Sequence, residues 1–409
     1  MKQNTTYKQT ELGLIPEDWE VKKFNKFSKF YSGGTPLTSK SEYYGGEIPF
    51  IKSGEIYYDR TEQFLTQEGL NNSSAKLVYR GDLLYALYGA NSGEVAISQL
   101  EGAINQAILC IQQNKDEAET IYLYNYLKLE KSNIINKFLQ GGQGNLSADI
   151  IKNLQIPLPP LPEQKKIADC LSTWDVAIEK QSALINALTD RKKALMQQLL
   201  TGKKRLPGFS GEWKEVKMGD LFEKINRKNE EGNTNVVTIS AQRGFVKQTD
   251  FFNKSVASET LDNYSLIYHG EFCYNKSYSN GYPLGATKRL IAFEKAVVTT
   301  LYICFKIKDQ KKSNGSFFEQ FFEANSLDRS LIKIAQEGGR AHGLLNVSLS
   351  DFFNIKIKLP PIEEQTAIAE ILAAADRELQ LQKEKLAQLQ AQKKGLMQVL
   401  LTGKKRLIN

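Results

Sequence analysis

Histidine is nearly absent from this 409-residue chain. His269 and His342 are the only two, and no metal-ligand spacing surrounds either, so a zinc site is not expected. The four cysteines, Cys110, Cys170, Cys273 and Cys304, are scattered without a CxxC pair. They read as reduced, mostly buried thiols of a cytoplasmic protein, not as a disulfide framework. No apolar run approaches a membrane span, and the first nineteen residues are polar, so neither a membrane helix nor a signal peptide is expected. Phosphate-cradling loops are missing too. Thr201-Gly202-Lys203-Lys204 lacks the upstream glycine of a Walker A loop, and no GxGxxG follows a strand. Asp82, Glu94 and Glu271 show no pairing that would mark acid–base chemistry. Several enzyme classes therefore fit poorly at once. The net charge of +8 and the pI near 9.0 are compatible with a polyanion partner, but mild for a chain of this size.

What the chain has instead is a long internal repeat, offset by 201 residues. Leu158-Pro159-Pro160 returns as Leu359-Pro360-Pro361, Glu163-Gln164 as Glu364-Gln365, and Leu195-Met196-Gln197 as Leu396-Met397-Gln398. Residues 199–206 and 400–407 are identical at all eight positions. Each copy opens with prolines and an acid, which suit the first turn of a helix and its positive dipole end. Each closes with Thr-Gly-Lys-Lys-Arg, where glycine suits the left-handed C′ position and the basic run the negative end.

Between these ends the apolar positions step alternately by four and three. The first seam is Ile167, Leu171, Trp174, Ile178, Gln181, Ile185, Leu188, Lys192, Leu195 and Leu199. The second is Ile368, Leu372, Ala375, Leu379, Gln382, Leu386, Leu389, Lys393, Leu396 and Leu400. This is a heptad pattern, and the shared Gln and Lys positions can set register and orientation at a cost in stability. The alternative, a helix packed only on its own domain, calls for a wider apolar face. A helix of this span is roughly 55 Å long. The segment between the copies leaves the end of the first helix and enters the start of the second. An antiparallel pair brings both attachments to one end, so we expect that arrangement, with the first globular segment inverted relative to the second. By the same symmetry the N-terminus is expected near the end of the second helix. A chain of two similar halves suits a target with two parts.

The reading is of four segments: a globular domain over 1–156, a helix over 157–206, a second domain over 207–357 and a second helix over 358–409. Each domain begins with a tryptophan followed by Val-Lys, at Trp19 and Trp213. Strand character is expected at residues 48–51, 82–86, 236–239 and 297–305, and helices at 117–138 and 316–335. Both domains are read as α+β, giving an α+β fold in which they alternate with two long helices in a pseudo-two-fold antiparallel coiled coil.

This plan resembles the specificity subunit of type I restriction-modification systems. The resemblance covers essentially the whole chain. Its most specific parts are the repeated Leu-Pro-Pro motifs at 158–164 and 359–365 with their helices; weaker ones are residues 48–56, 81–84, 274–278 and 337–340. It implies that each domain is a target recognition domain reading one half of a bipartite, asymmetric site in double-stranded DNA. It implies that the helices set the spacer and dock two methyltransferase subunits. Those would carry S-adenosylmethionine, and restriction subunits joined through them would use ATP and Mg. This chain would hold no cofactor or metal and would be catalytically silent, cytoplasmic and free of membrane.

Polar and basic residues beside glycines in loops are the candidates for DNA contact, because backbone freedom allows close approach and these side chains reach base edges or phosphates. They are Lys52, Ser53, Tyr88, Asn91, Ser92, Gln143 and Asn145 in the first domain, and Ser240, Gln242, Arg243, Lys276, Tyr278, Ser279, Asn280, Arg340 and His342 in the second. The plain alternative for each is a solvated loop residue. Two competing functions are a coiled-coil scaffold for proteins without a sequence-specific DNA role, and a self-contained nuclease or methyltransferase.

Overall fold

The computed structural model describes residues 6–138, 145–252, 261–337 and 345–408. The two repeats form helices of equal length, Leu161–Leu199 and Ile362–Leu400. No seam position is fully exposed. The chain divides into two compact units, one of Met1–Ser182 with Glu384–Asn409, the other Ala183–Lys383. The four segments read from the sequence are thus cut differently in space: each unit takes one globular part and half of each long helix.

Within each unit the two half-helices run antiparallel, as the contacts show. In the first unit Ile167 and Leu171, near the start of one helix, share a core with Met397, Leu400 and Leu401, at the end of the other. In the second unit Ile368, Ala369 and Leu372 share a core with Met196, Leu199 and Leu200. The cores also take in the domains: Trp19, Phe24, Tyr85 and Tyr122 in the first, and Phe222, Phe272, Phe305 and Phe352 in the second. Burying each such leucine stabilises by about 2 kcal/mol. The identity of the repeated Leu-Leu pair follows from this, since both copies fill the same kind of site.

The polar seam lysines find partners across the pair. Lys393 bonds Asp175 in the first unit, and Lys192 bonds Asp376 in the second. The lysines are the deeper members; Lys393 is 5% exposed. Burial pushes its pKa down, opposed by the Asp175 carboxylate.

A second reciprocal contact closes each unit. In the second, Arg205 of the first repeat grips Glu364 of the second repeat through Nε and Nη2, at 2.6 and 2.7 Å, while Trp213 Nε1 donates to the same carboxylate at 3.1 Å. In the first unit Arg406 grips Glu163 at 2.7 Å through both nitrogens, and Trp19 Nε1 donates at 3.1 Å. Arg406 also holds Asp18, at 2.9 and 2.7 Å, whereas Glu212, which precedes Trp213 as Asp18 precedes Trp19, is not paired with Arg205. The neighbouring glutamines repeat the logic. Gln164 receives Glu119 N–H and donates to the Glu117 and Pro159 carbonyls; Gln365 receives Asn314 N–H and donates to those of Lys312 and Pro360. These bonds tie each Pro-rich helix start to its own domain.

The C′ glycines do what the repeat implies. Gly202 and Gly403 have φ of +70° and +71°, and a Cβ on either would sit 3.4 Å from the clasp tryptophan. The described N-terminal residues reach the end of the second helix, where Tyr7 donates to the Gly403 carbonyl at 3.2 Å.

Each domain feeds its helix from an antiparallel strand pair. Glu20–Lys23 pairs with Gln155–Leu158, and Lys214–Lys217 with Lys356–Leu359. Each also contains a four-stranded antiparallel sheet of the same order. In the first it is Ser28–Ser32, Ile108–Gln113, Leu83–Ala86, Val95–Ile97. In the second it is Phe222–Lys224, Ile303–Ile307, Phe272–Asn275, Ala286–Arg289.

Two expectations change in detail, and the cysteines keep theirs. The run 297–305 is two strands, Lys295–Val298 and Ile303–Ile307, in different sheets, because the chain turns at Thr299. The helix expected over 316–335 is two, Gly315–Glu323 and Asp328–Ile334, broken where Asn325 takes a left-handed φ of 53°. The cysteines are free thiols, yet Cys273 and Cys304, apart in sequence, face each other across adjacent strands with sulfurs 3.3 Å apart.

Candidate nucleic-acid interface

Each domain brings together the same three loops, and most of the candidate residues lie on them. In the first domain the strand Tyr44–Ile51 ends in a turn over 52–58. Glu55 fixes that turn: its carboxylate accepts from Lys52 N–H at 2.9 Å, Thr61 Oγ1 at 3.0 Å and Glu62 N–H at 3.1 Å. Lys52 and Ser53 sit half-buried on the turn. The second loop joins Leu83–Ala86 to Val95–Ile97 and carries Tyr88, Asn91 and Ser92. Ser92 Oγ donates to the Gly89 carbonyl at 2.9 Å, so this side chain shapes its own loop. The two loops touch, since a Cβ on Gly54 would lie 3.5 Å from Asn91 Nδ2. The third loop arrives at Asn145, which is exposed; its neighbour Leu146 donates N–H to the Leu87 carbonyl at 3.0 Å.

The second domain repeats the set. The hairpin between Val237–Ser240 and Gly244–Lys247 exposes Gln242 and Arg243. Ser240 is different: it is 4% exposed, and its Oγ accepts from Arg243 N–H at 3.2 Å, so it holds the turn from inside. Gln242 Nε2 donates to the Asn280 carbonyl at 3.0 Å and so joins the hairpin to the loop carrying Lys276, Tyr278, Ser279 and Asn280. Tyr278 is 66% exposed. Leu345 N–H donates to the Lys276 carbonyl at 3.1 Å, which brings in the third loop. Gln143, Arg340 and His342 lie outside the described residues.

Beside each loop set lies a tyrosine–carboxylate–lysine group that no local sequence signal marks. In the first domain Glu94 accepts from both Tyr57 Oη and Lys131 Nζ. Burial raises the Glu94 pKa, but Lys131 and Tyr57 outweigh it and hold the carboxyl below its ordinary value. In the second, Glu323 accepts from Tyr282 Oη at 2.6 Å and from Lys288, whose Nζ also lies 3.1 Å from Tyr282 Oη. Burial first, and the carboxylate next, push both phenol pKa values up. Of the other acids without a visible partner in the sequence, Glu271 is gripped by Arg227 at 3.1 Å through both terminal nitrogens, and Asp82 accepts from Tyr79 N–H at 2.8 Å. Both are occupied by structure.

Chemically, the loops offer amide, hydroxyl, guanidinium and ammonium groups at a polar surface, the donor set used for phosphates and base edges. Among the described residues no cluster of three His, Cys, Asp or Glu could hold a metal ion, and no helix is long and apolar enough to cross a membrane.

Comparison with known proteins agrees with this plan. A family described as the type I restriction modification DNA specificity domain matches twice, over residues 16–190 and 210–391. The type I restriction enzyme MjaVIII specificity subunit of Methanocaldococcus jannaschii is 26% identical, over 97% of this chain and 95% of that one. The putative MjaX specificity subunit of the same organism is 29% identical, over 98% and 97%. Among solved structures, the type I S subunit from M. genitalium superposes with a TM-score of 0.55 at 14% identity, over 98% of this chain and 97% of that one. A chain solved in work on assembly and conformational transition of the type I R-M system gives 0.58 at 16%, over 96% and 99%. These two likenesses concern the fold. With one family matched twice over most of its length, the chain belongs to the type I restriction-modification DNA specificity family.

Proposed function

We propose that this chain is the DNA-reading subunit of a type I restriction-modification complex, with each domain reading one half of a bipartite, asymmetric site. The observation that carries the reading is the reciprocal clasp. Arg205 of the first repeat holds Glu364 of the second, and Arg406 of the second holds Glu163 of the first. The chain thus builds one loop-bearing unit twice and joins the copies through continuous helices of 39 residues each. The loop residues differ between the copies, so the two half-sites differ. The helices set the unread spacer, which suits readers placed about one DNA turn apart, roughly 34–36 Å, or somewhat more.

In this reading the helices also dock two methyltransferase subunits, which carry S-adenosylmethionine and methylate adenine. Restriction subunits join through them and cleave with ATP and Mg. This chain supplies binding and register, and no cofactor. Lys52, Arg243 and Lys276 are assigned to phosphates or guanine edges, and Asn91, Asn145, Gln242 and Asn280 to adenine edges.

The test is to map methylated adenines in a host carrying the chain and its methyltransferase, beside the same host lacking the chain. One bipartite motif with a fixed spacer, lost with the chain, is the expected result. Identical methylation in a host whose methyltransferase binds the chain refutes the reading. Purified complex should also lose DNA affinity steeply between 50 and 200 mM salt.

A further inference from the structure

The tyrosine–carboxylate–lysine groups beside the loops have an unexpected relation. In the first domain the acid, Glu94, immediately precedes the outer strand Val95–Ile97, and the lysine, Lys131, is on the helix Thr120–Phe138. In the second the lysine, Lys288, is on the outer strand Ala286–Arg289, and the acid, Glu323, ends the helix Gly315–Glu323. In both domains the ion pair links the outer side of the hairpin to a helix, with opposite polarity and at different registers: Glu94 stands opposite Ala86, and Lys288 opposite Cys273. In both cases a loop tyrosine bonds the acid: Tyr57 from the 52–58 turn, and Tyr282 from the loop bearing Tyr278 and Asn280.

The first group ties the 52–58 turn, the end of the loop bearing Asn91 and Ser92, and the helix Thr120–Phe138; the second ties the loop bearing Tyr278 and Asn280, with its outer strand, to the helix Gly315–Glu323. Glu94 continues the hairpin through Ala86 N–H to Glu94 O at 2.8 Å and Gly93 N–H to Ala86 O at 2.9 Å. A Cβ on Gly93 would meet Ile135 Cδ1 at 3.0 Å, so the loop is pressed on the helix and has little slack. In the second domain Ser279 and Tyr282 bond each other's backbone at 3.2 and 2.8 Å, and Asn325 Nδ2 donates to the Gly281 carbonyl at 3.0 Å.

We propose that Tyr57 and Tyr282 are specificity-positioning residues, each held by the ion pair beside it and each setting the reading loops of its own half-site alone. The inference rests on the DNA-reading function proposed above. A tyrosine that merely stabilised the fold would change affinity for every sequence alike. One that orients a loop changes discrimination at the bases that loop reads, and leaves phosphate contacts in place.

The experiment uses the complex of the full chain with its methyltransferase subunits, and duplexes in which each base of the mapped motif is varied. Tyr57→Phe should lower discrimination in one half-site about tenfold, the factor that one hydrogen bond to a charged group supplies. Discrimination in the other half and the salt slope should stay unchanged. Tyr282→Phe should do the converse. Glu94→Lys and Lys131→Glu each place like charges together and should lose discrimination in the first half. Combined, they copy the polarity of the second domain and should recover it. Equal effects on both half-sites, a double variant no better than the singles, or lowered melting temperature with discrimination intact each overturn the proposal. A wild-type complex with no bipartite preference instead overturns the function on which it rests.

Discussion

Replacing Glu163 by glutamine should cost the first unit about 3 kcal/mol. The carboxylate is 2% exposed and is the common acceptor for Trp19 Nε1, for Arg406 Nε and Nη2, and for Leu407 N–H at 3.2 Å. An amide keeps the volume but loses the charge, and turns two hydrogens toward donors. Arg406, with 8% of its side chain exposed, is then left with Asp18, whose side chain is 53% exposed. Breaking a buried pair by removing one partner costs about 3–5 kcal/mol, and the surviving Asp18 bonds place this case at the lower end. With a urea slope of about 2 kcal/mol/M, the midpoint falls by about 1.5 M. Equilibrium unfolding of the full chain, followed by tryptophan fluorescence, measures it, since Trp19 belongs to the clasp. Asp18→Asn is the internal control. It removes an exposed partner and should cost about 1 kcal/mol or less. The reasoning is refuted if Asp18→Asn costs as much as Glu163→Gln, or if Glu163→Gln costs less than about 1 kcal/mol.

Other outcomes follow from the same geometry. Asp175→Asn strands the buried Lys393 ammonium and should destabilise, whereas Asp175→Asn with Lys393→Met should return close to wild-type stability in urea; a double variant worse than the single would contradict this. Deleting one heptad from both long helices shortens each by about 10 Å, or roughly three base pairs, so the spacer in the methylation map should contract or the motif disappear; an unchanged spacer rejects the ruler. Asp18, Glu94, Glu117, Glu215 and Glu231 are all held below the ordinary carboxylate range by ion pairs or hydrogen bonds, with burial opposing most visibly at Glu94. Their stabilisation is complete above the unfolded carboxylate values of about 4 and is lost as pH falls through the folded ones. The urea midpoint should therefore hold at pH 6 and fall below about pH 4.

What the sequence could determine was whatever repeats locally. The heptads fixed both helices, because burial of one seam imposes a period on the side chains. The Leu-Pro-Pro and Gly-Lys-Lys-Arg ends marked their boundaries, because helix ends have their own chemistry. The antiparallel pairing followed from chain connectivity alone. Why the end motifs are duplicated was not legible: Glu163 and Arg406 are 243 residues apart, and only folding shows that each repeat's arginine answers the other's acid. The break at Asn325 was hidden too: residues 316–323 are all helical, and the helix ends just before Asn325 takes its left-handed φ. The loops were recognisable by glycine and polar content, but not which of their side chains turn inward, as Ser240 does. The groups beside the loops lay beyond sequence reasoning altogether. Tyr57, Glu94 and Lys131 sit in three separate segments, and the two domains link strand and helix with ion pairs of opposite polarity. Periodic burial is written along the chain; pairings between distant charges are decided only by the tertiary structure that brings them together, and there the two halves of this protein, alike in plan, took opposite solutions.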